Sequence, residues 1–255
     1  MHPWRAALRG AALSVACLAG GAGSALACGD AAQDALPGAT DVQGAFVAWY
    51  ADATTSYGHD IMGSVQDALT LRAVLNDDCR VLEVAAGAGH VFEDIAPRLT
   101  DVDGDGLPEV VAVRSSLTEG AQLIVYRAQG DALVPLAATP PIGRRNRWLA
   151  PAAWGDLDGD GAWEVAYVDR PHLAKTLRIW RLDGQTLREI AQLSGVTNHR
   201  IGEPFISGGL RVCGTEHEIV LASANWARRV IVKVAGEITA EDAGPWAPDT
   251  SLLCD

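Results

Sequence analysis

Two short stretches of this chain place acidic residues at every second position, a spacing that suits metal binding. The first reads TDVDGDGLPEV from Thr100, and the second reads GDLDGDGAWEV from Gly155. Carboxylates this close together repel one another unless a cation lies between them. Ca²⁺ takes six to eight oxygen ligands with flexible geometry, so these loops suit it better than Mg²⁺, which requires strict octahedral geometry.

The ligands can be counted from the first aspartate of each stretch. Side-chain oxygens fall at positions 1, 3, 5 and 9, and the carbonyl at position 7 offers another oxygen. Glycines at positions 4 and 6 allow turns that other residues resist. The alternative is a pair of solvated Asp/Gly turns, because both residues are common in turns. The predicted ligands of two Ca²⁺ ions are Asp101, Asp103, Asp105, Leu107 and Glu109, and Asp156, Asp158, Asp160, Ala162 and Glu164.

The residues after each loop distinguish it from an EF-hand. An EF-hand closes with a glutamate at position 12, but Ala112 and Tyr167 stand there. The following segments, EVVAVRS and EVAYVDR, are β-branched and apolar, which predicts buried strands rather than helices. Each loop therefore leads into a strand.

The loops belong to a longer repeat. They begin about 55 residues apart, a period typical of propellers and solenoids. Each repeat predicts one four-stranded antiparallel sheet, in units at about 92–147 and 148–197, with degenerate units at about 54–91 and 198–240. In the last unit Glu218 matches Glu164, but Leu210, Val212 and Gly214 replace the three aspartates, so the sequence predicts a blade without a metal.

The motif D-x-D-G-D-G-x-x-E, present twice, resembles the FG-GAP or VCBS repeat family of integrin α-subunit propellers and many exported bacterial proteins. The resemblance implies an all-β fold, a β-propeller of four-stranded antiparallel blades, with Ca²⁺ in both loops. The length of the chain favours four or five blades; an open stack, or a fragment that closes by dimerising, is the alternative. Such a protein is expected to act as a binding module with structural Ca²⁺.

The sequence of residues 1–27 predicts a signal peptide. Arg5 and Arg9 precede an apolar run that ends in Ala25-Leu26-Ala27, a signal peptidase site. A membrane anchor, or a lipoprotein modified at Cys28, is the alternative. No later segment is apolar enough to span a bilayer. We therefore expect an exported protein, periplasmic or extracellular, without a membrane span after cleavage.

After residue 27 we expect an N-terminal segment at 28–53, with a short helix in DVQGAFVAWYAD, and then the propeller domain at 54–255. Four cysteines lie beyond the signal peptide. An even number in an exported chain predicts two disulfides, and three pairings are open. Their positions favour Cys28–Cys79 and Cys213–Cys254, and the lack of a C-x-x-C pair argues against a zinc site.

The formal net charge of −12 argues against nucleic acid or anionic membrane as a partner. No common catalytic motif is present. Three segments fit the same structural position in successive blades: SYGHDIMGS, NRWLAPAAWGD and TNHRIGEPFISGG. This alignment would bring His59, Trp148 and His199 to one face.

Such a face could bind a partner protein, a glycan or a small anionic molecule. An alternative function is a hydrolase or lyase that uses these loops, and a third interpretation is that the residues only cap strands. The candidate ligand-binding residues are His59, Arg144, Arg145, His199 and Arg200.

Overall fold

The computed structural model describes residues 28–76, 78–247 and 252–254. Within these residues the chain consists almost wholly of antiparallel β-strands, and the one helix is a four-residue 3-10 helix, Gly29–Ala32. No described helix has the length and apolar character needed to cross a bilayer. The predicted all-β fold is confirmed, and the predicted signal peptide lies outside the described residues.

The first half of the chain forms one nine-stranded sheet. Its strands are β1 (Thr40–Gln43), β2 (Phe46–Thr54), β3 (Asp67–Val74), β4 (Leu82–Ala85), β5 (His90–Phe92), β6 (Arg98–Thr100), β7 (Glu109–Ser116), β8 (Gly120–Gln129) and β9 (Ala132–Ala138). We call β1–β4 blade 1 and β6–β9 blade 2. Strand β5 joins the two blades, because it pairs with both β3 and β7.

The second half of the chain forms two separate sheets. Blade 3 contains β10 (Leu149–Gly155), β11 (Glu164–Asp169), β12 (Thr176–Asp183) and β13 (Thr186–Ser194). Blade 4 contains β14 (Val196–Thr197), β15 (Gly209–Cys213), β16 (Glu216–Ser223), β17 (Arg228–Ala235) and β18 (Glu237–Pro245). Blade 3 is a simple meander, whereas β14 and β15 of blade 4 both pair with β16.

The central strands are buried on both faces, and this packs the blades in chain order. Successive residues of a strand point to opposite faces. In β7, Val110 and Ala112 face the core shared with blade 1, whereas Val111 and Val113 face the core shared with blade 3. A third core joins blades 3 and 4. The result is a propeller-like arrangement of four blades within the described residues.

The N-terminal segment covers the other face of blade 1. Val47 and Trp49 of β2 pack there against Cys28, and the Trp49 Nε1–H donates to the Asp34 carboxylate over 2.8 Å. The predicted disulfide Cys28–Cys79 fastens this segment to the blade, and this pairing is confirmed. The Cys28 sulphur is thus engaged in a disulfide, which argues against lipid attachment there.

The second predicted disulfide, Cys213–Cys254, is also confirmed. It ties the C-terminal residues to β15 of blade 4, across a sequence separation of 41 residues. A cross-link of this span restricts the unfolded chain and so stabilises the folded one.

The prediction of a short helix in DVQGAFVAWYAD is wrong. Residues 40–54 form the β1–β2 hairpin, which turns at Gly44, where φ is +60°. Val47 and Trp49 alternate with Ala48 and Tyr50 between two buried faces, and this period of two belongs to a strand. Blade 1 therefore begins at residue 40, within the segment that the sequence placed outside the blades.

The strand register places the acidic loops and the longer loops at opposite ends of the sheets. In blade 3, Glu164 pairs with Gly155 beside the acidic loop, whereas Asp169 pairs with Leu149 at the far end. At the far end the loop after β2 meets the loop after β14, where the Gly202 N–H donates to the Ile61 carbonyl over 2.9 Å. Loops of the first and fourth blades are therefore in contact.

We expect Gly63→Ala to destabilise the protein more than Gly130→Ala. The glycines have φ of +63° and +61°, so both variants carry the same backbone penalty of about 1 kcal/mol. A Cβ at Gly63 would lie 2.5 Å from the Gly202 carbonyl oxygen, whereas nothing lies within 4 Å at Gly130. Thermal unfolding of both variants measures the difference, and equal losses would contradict a tight contact between blades 1 and 4.

Candidate functional site

The two acidic loops have nearly the same hydrogen bonds. In the first, the Asp101 carboxylate accepts N–H groups from Gly104 at 2.7 Å and Gly106 at 2.9 Å. In the second, Asp156 accepts N–H groups from Gly159 at 2.7 Å and Gly161 at 3.0 Å. All four glycines have φ between +77° and +89°, where a side chain would be strained. The first aspartate therefore curls each loop around itself.

A buried glutamate begins the strand that follows each loop. Glu109 starts β7 and Glu164 starts β11, and their exposed fractions are 5% and 0%. Each carboxylate accepts a backbone N–H from seven residues earlier, that of Val102 or Leu157, over 2.9 Å. These bonds fix the glutamates beneath the loops that the aspartates curl.

Carboxylate oxygens converge in both loops. One oxygen from each of Asp101, Asp103 and Glu109 lies within 4.8 Å of the others, and Asp156, Asp158 and Glu164 form the same group. This all-oxygen donor set fits a hard cation such as Ca²⁺. The predicted ligands Asp105 and Asp160 belong to the same loops but lie outside the two groups. The carbonyls of Leu107 and Ala162 stay predicted ligands.

Burial and neighbouring charges act on the two glutamates. Burial, with the carboxylates of Asp101, Asp103 and Asp105 nearby, raises the pKa of Glu109 to about 7. Burial also raises the pKa of Glu164, where a hydrogen bond from Arg181 acts in the opposite direction. Within the described part of the chain, no ion pair compensates the acids of the first loop, whereas Glu164 in the second has a basic neighbour, Arg181.

That neighbour, Arg181 of β12, was not predicted from the sequence. Its guanidinium reaches Glu164 at 2.6 Å, Asp158 at 2.6 Å and Asp160 at 2.8 Å. Neither the arginine nor its distance along the chain forms a motif. Only the register between β11 and β12, in which Glu164 pairs with Arg181, brings them together.

The degenerate unit in blade 4 keeps the glutamate and changes its surroundings. Glu218 is 6% exposed and makes ion pairs with Arg211 at 2.7 Å and Lys233 at 3.1 Å. These two bases, together with hydrogen bonding, lower the pKa of Glu218 despite the burial that acts to raise it. Basic side chains thus compensate the buried carboxylate where the aspartates are absent.

A separate cavity of about 240 Å³ lies at the opposite end of the sheets. It is bounded by the loops that follow β2, β9, β11 and β14, so each of the four blades contributes one loop. Most of the lining is apolar, with imidazole and guanidinium groups at a few points. The lining residues are His59, Ile61, Asn146, Arg147, Trp148, Arg170, Pro171, His172, Leu173 and Ile201.

One wall of the cavity contains a histidine oriented by a buried carboxylate. The His59 Nδ1 lies 2.5 Å from the Glu93 carboxylate, which also accepts the Ser115 hydroxyl. Burial raises the pKa of Glu93. Burial and the Glu93 charge raise the pKa of Asp67 nearby to about 7. An acidic cluster thus lies directly behind His59.

A second wall contains two hydrogen-bonded histidines. His199 is fully buried, and its Nε2 lies 2.8 Å from the Glu203 carbonyl, so Nε2 carries the proton and Nδ1 is an acceptor. The His172 Nε2–H therefore donates to the His199 Nδ1 over 3.1 Å. Burial and the neighbouring His199 lower the pKa of His172 to about 4. His172 is neutral near pH 7.

The three residues predicted to share one face do come together. His59 and Trp148 line the cavity, and the Trp148 ring lies against His199 with 4.9 Å between centroids. The Trp148 Nε1–H also donates to the Glu93 carbonyl over 2.9 Å. Glu93 itself was not predicted, because an acid at the end of an apolar strand has no distinctive sequence signal.

The predicted arginines do not join this cavity. Arg145 donates to the Tyr57 carbonyl over 2.7 Å and packs over the Tyr57 ring. Arg200 stacks on Trp226 at 4.2 Å, and Arg144 lies exposed outside the lining. Arg147 and Arg170 supply the guanidinium groups of the lining instead.

Comparison with solved structures finds a likeness to an exo-β-1,3-galactanase from Phanerochaete chrysosporium, solved with β-1,3-galactotriose. The identity is 10% and the TM-score is 0.44, over 86% of this chain and 52% of the galactanase. This chain therefore spans about half the length of that protein. A likeness at this level says nothing of activity.

No curated protein matches this chain. Residues 101–167 match the profile of the FG-GAP-like repeat family. The matched stretch includes both acidic loops, the glutamates beneath them, all of β7 and the first residues of β11. The chain therefore contains an FG-GAP-like repeat region at residues 101–167, as the D-x-D-G-D-G-x-x-E motifs predicted.

Proposed function

We propose that this chain is an exported binding module in which two Ca²⁺ ions have a structural role. The observation that carries the proposal is the convergence of three carboxylates at each loop, one of which belongs to a buried glutamate. A dication there would cancel the repulsion between the carboxylates and fix the start of β7 or β11. Asp101, Asp103, Glu109, Asp156, Asp158 and Glu164 would hold the ions, with Asp105, Asp160 and the Leu107 and Ala162 carbonyls as further candidate ligands.

Export is supported by the disulfides and the N-terminal pattern. Two disulfides are typical of an oxidising compartment, such as the periplasm or the extracellular space. The charged start, apolar run and A-x-A site of residues 1–27 fit a signal peptide. Millimolar Ca²⁺ outside cells would suit even a site of modest affinity.

The ligand of the module is proposed to enter the cavity beside Trp148. Its lining combines apolar side chains with the guanidinium of Arg147, for which the described residues provide no carboxylate partner, whereas Arg170 already binds Asp169. An apolar pocket with one free cationic donor suits a small organic anion, such as a carboxylate with an aromatic or aliphatic body. A protein or glycan partner that presents such a group would fit the same position.

Removal of calcium is expected to lower the melting temperature by several degrees, because a ligand that binds only the folded state stabilises it. The measurement compares thermal unfolding in excess EDTA and in millimolar CaCl₂. In Asp101→Asn, which removes the first ligand of loop one, this difference should shrink. The matched control is Asp183→Asn, which changes the exposed last residue of β12 and should keep the full difference. An unchanged melting temperature in EDTA, with calcium shown to be absent beforehand, contradicts a structural metal.

The cavity is tested with benzoate, a small carboxylate with an apolar body. We expect millimolar benzoate to raise the melting temperature, and Arg147→Gln to abolish this shift, because the cationic donor is lost. Arg144→Gln removes the same charge three residues away and outside the cavity, so it should retain the shift. An equal shift in both variants would place any anion binding elsewhere on the surface.

A hydrolase is the second candidate function, and the His59–Glu93 pair favours it. The Glu93 carboxylate accepts the Nδ1–H, so the neutral ring has its lone pair at Nε2. An imidazole oriented in this way can take a proton from a water molecule that attacks a bound substrate.

If this function is present, His59→Gln should slow the hydrolysis of 4-nitrophenyl acetate at least about tenfold, because the general base is lost. His90→Gln serves as the control, since His90 lies on β5 outside the cavity. Melting temperatures should stay equal for the two variants. Equal rates for wild type and both variants would exclude His59 as a base toward this ester.

A further inference from the structure

A basic residue lies opposite the buried glutamate in three successive blades. In blade 3, Glu164 pairs with Arg181 across β11 and β12. In blade 2, the pairing of Val110 with Tyr126 places Arg127 opposite Glu109. In blade 4, the pairing of Ile219 with Val232 places Lys233 opposite Glu218. The same register position is therefore basic in all three, but its contacts differ.

The Arg181 guanidinium contacts acidic residues that a cation in the second loop would also bind. Its three nitrogens each contact a different carboxylate, those of Asp158, Asp160 and Glu164. Asp158 and Glu164 are two of the three residues whose oxygens converge in this loop. A metal ion at this point would have to compete with the guanidinium for these two carboxylates.

The first loop lacks this compensation. Arg127 lines the same shallow depression as Asp103, Asp105 and Glu109. Among the described residues, however, no ion pair joins Arg127 to these carboxylates. The negative charge of the first loop is therefore available to a metal ion without displacement of a side chain.

Blade 4 has the opposite extreme. Arg211 and Lys233 bind Glu218 directly, and the positions of the three aspartates hold Leu210, Val212 and Gly214. From blade 2 to blade 3 to blade 4, the number of basic side chains that form ion pairs with the buried glutamate thus rises from none to one to two among the described residues. The second loop is the intermediate case, with a full set of acids and an arginine already among them.

From this series we infer that Arg181 is an internal counter-ion that competes with metal for the second loop, so that the two loops bind Ca²⁺ with unequal affinity. The inference rests on the proposed calcium binding. The first loop binds the ion tightly, whereas the second must first release three ion pairs. Arg181 is 23% exposed, so its side chain has a path to solvent when the metal enters. Without metal, Arg181 keeps the second loop folded.

The test is isothermal titration calorimetry, in which CaCl₂ is added to the calcium-free, disulfide-intact protein and the heat of binding is measured. We expect two classes of site in the wild type, with dissociation constants at least about tenfold apart. Asp101→Asn should remove the tight site and Asp156→Asn the weak one. Arg181→Met keeps the aliphatic stem and removes the charge, and it should tighten the weak site at least about tenfold. Arg127→Met is the matched control and should leave the weak site unchanged.

Thermal unfolding supplies a second readout. In EDTA, Arg181→Met should melt below the wild type, because the acids of the second loop lose their counter-ion, and CaCl₂ should restore most of the loss. If Arg181→Met fails to fold, Arg181→Gln replaces it in both measurements. A wild type that binds one Ca²⁺ while the Arg181 variant binds two also supports the inference.

Two results would overturn it, and they are distinguishable. Two sites of equal affinity in the wild type, unchanged in Arg181→Met, would leave calcium binding intact and remove the role of Arg181. No calcium binding by the wild type or any folded variant would overturn the proposed function and this inference together.

Discussion

A buried glutamate near the start of a central strand is the constraint on which this architecture depends. Glu109, Glu164 and Glu218 are each less than a tenth exposed. Glu109 and Glu164 are the first residues of β7 and β11, and Glu218 is the third residue of β16, where the buried part of that strand begins. A carboxylate in such a place is costly unless a positive partner lies beside it. Arg181 supplies this partner to Glu164, and Arg211 and Lys233 supply it to Glu218. In blade 2 the proposed Ca²⁺ would supply it to Glu109.

The strands beyond these glutamates explain why the entry point must be fixed. Strand β7 presents Val110 to one core and Val111 to another, so a slip of one residue would exchange the two faces. The Glu109 hydrogen bond to the Val102 N–H sets where the strand begins. Register in blades 2 and 3 thus depends on the same short loop that would hold the metal.

Local patterns explain what the sequence could predict. Each loop and the strand after it are contiguous in the sequence, and the pattern recurs about 55 residues later. The family resemblance and the all-β fold could therefore be predicted, and the cysteine positions favoured the observed pairing. The segment from Val47 to Ala51 was misread as helix, because a run of apolar residues buried on both faces has no clear period.

Contacts set by strand register or loop packing were beyond local patterns. Arg181 is 17 residues from Glu164 in sequence, and only the β11–β12 ladder makes them neighbours. Alignment of successive blades correctly grouped His59, Trp148 and His199, because backbone position repeats between blades. It failed for Arg145 and Arg200, whose side chains turn toward Tyr57 and Trp226, and a repeat pattern does not specify such directions.

The two candidate sites lie at opposite ends of shared strands, and this separation bears on the role of the metal. Strand β7 begins at Glu109 beside the first acidic loop and ends near Ser115, whose hydroxyl contacts Glu93 behind the cavity. A metal at one end cannot touch a ligand at the other, so it can act on the cavity only through the strand. Because β7 is buried and packed on both faces, it resists deformation, and a change at one end affects the position of the other end. A cation in the acidic loop would therefore act on the cavity only through the position of β7, whose Ser115 contacts Glu93, and would not contact a ligand there.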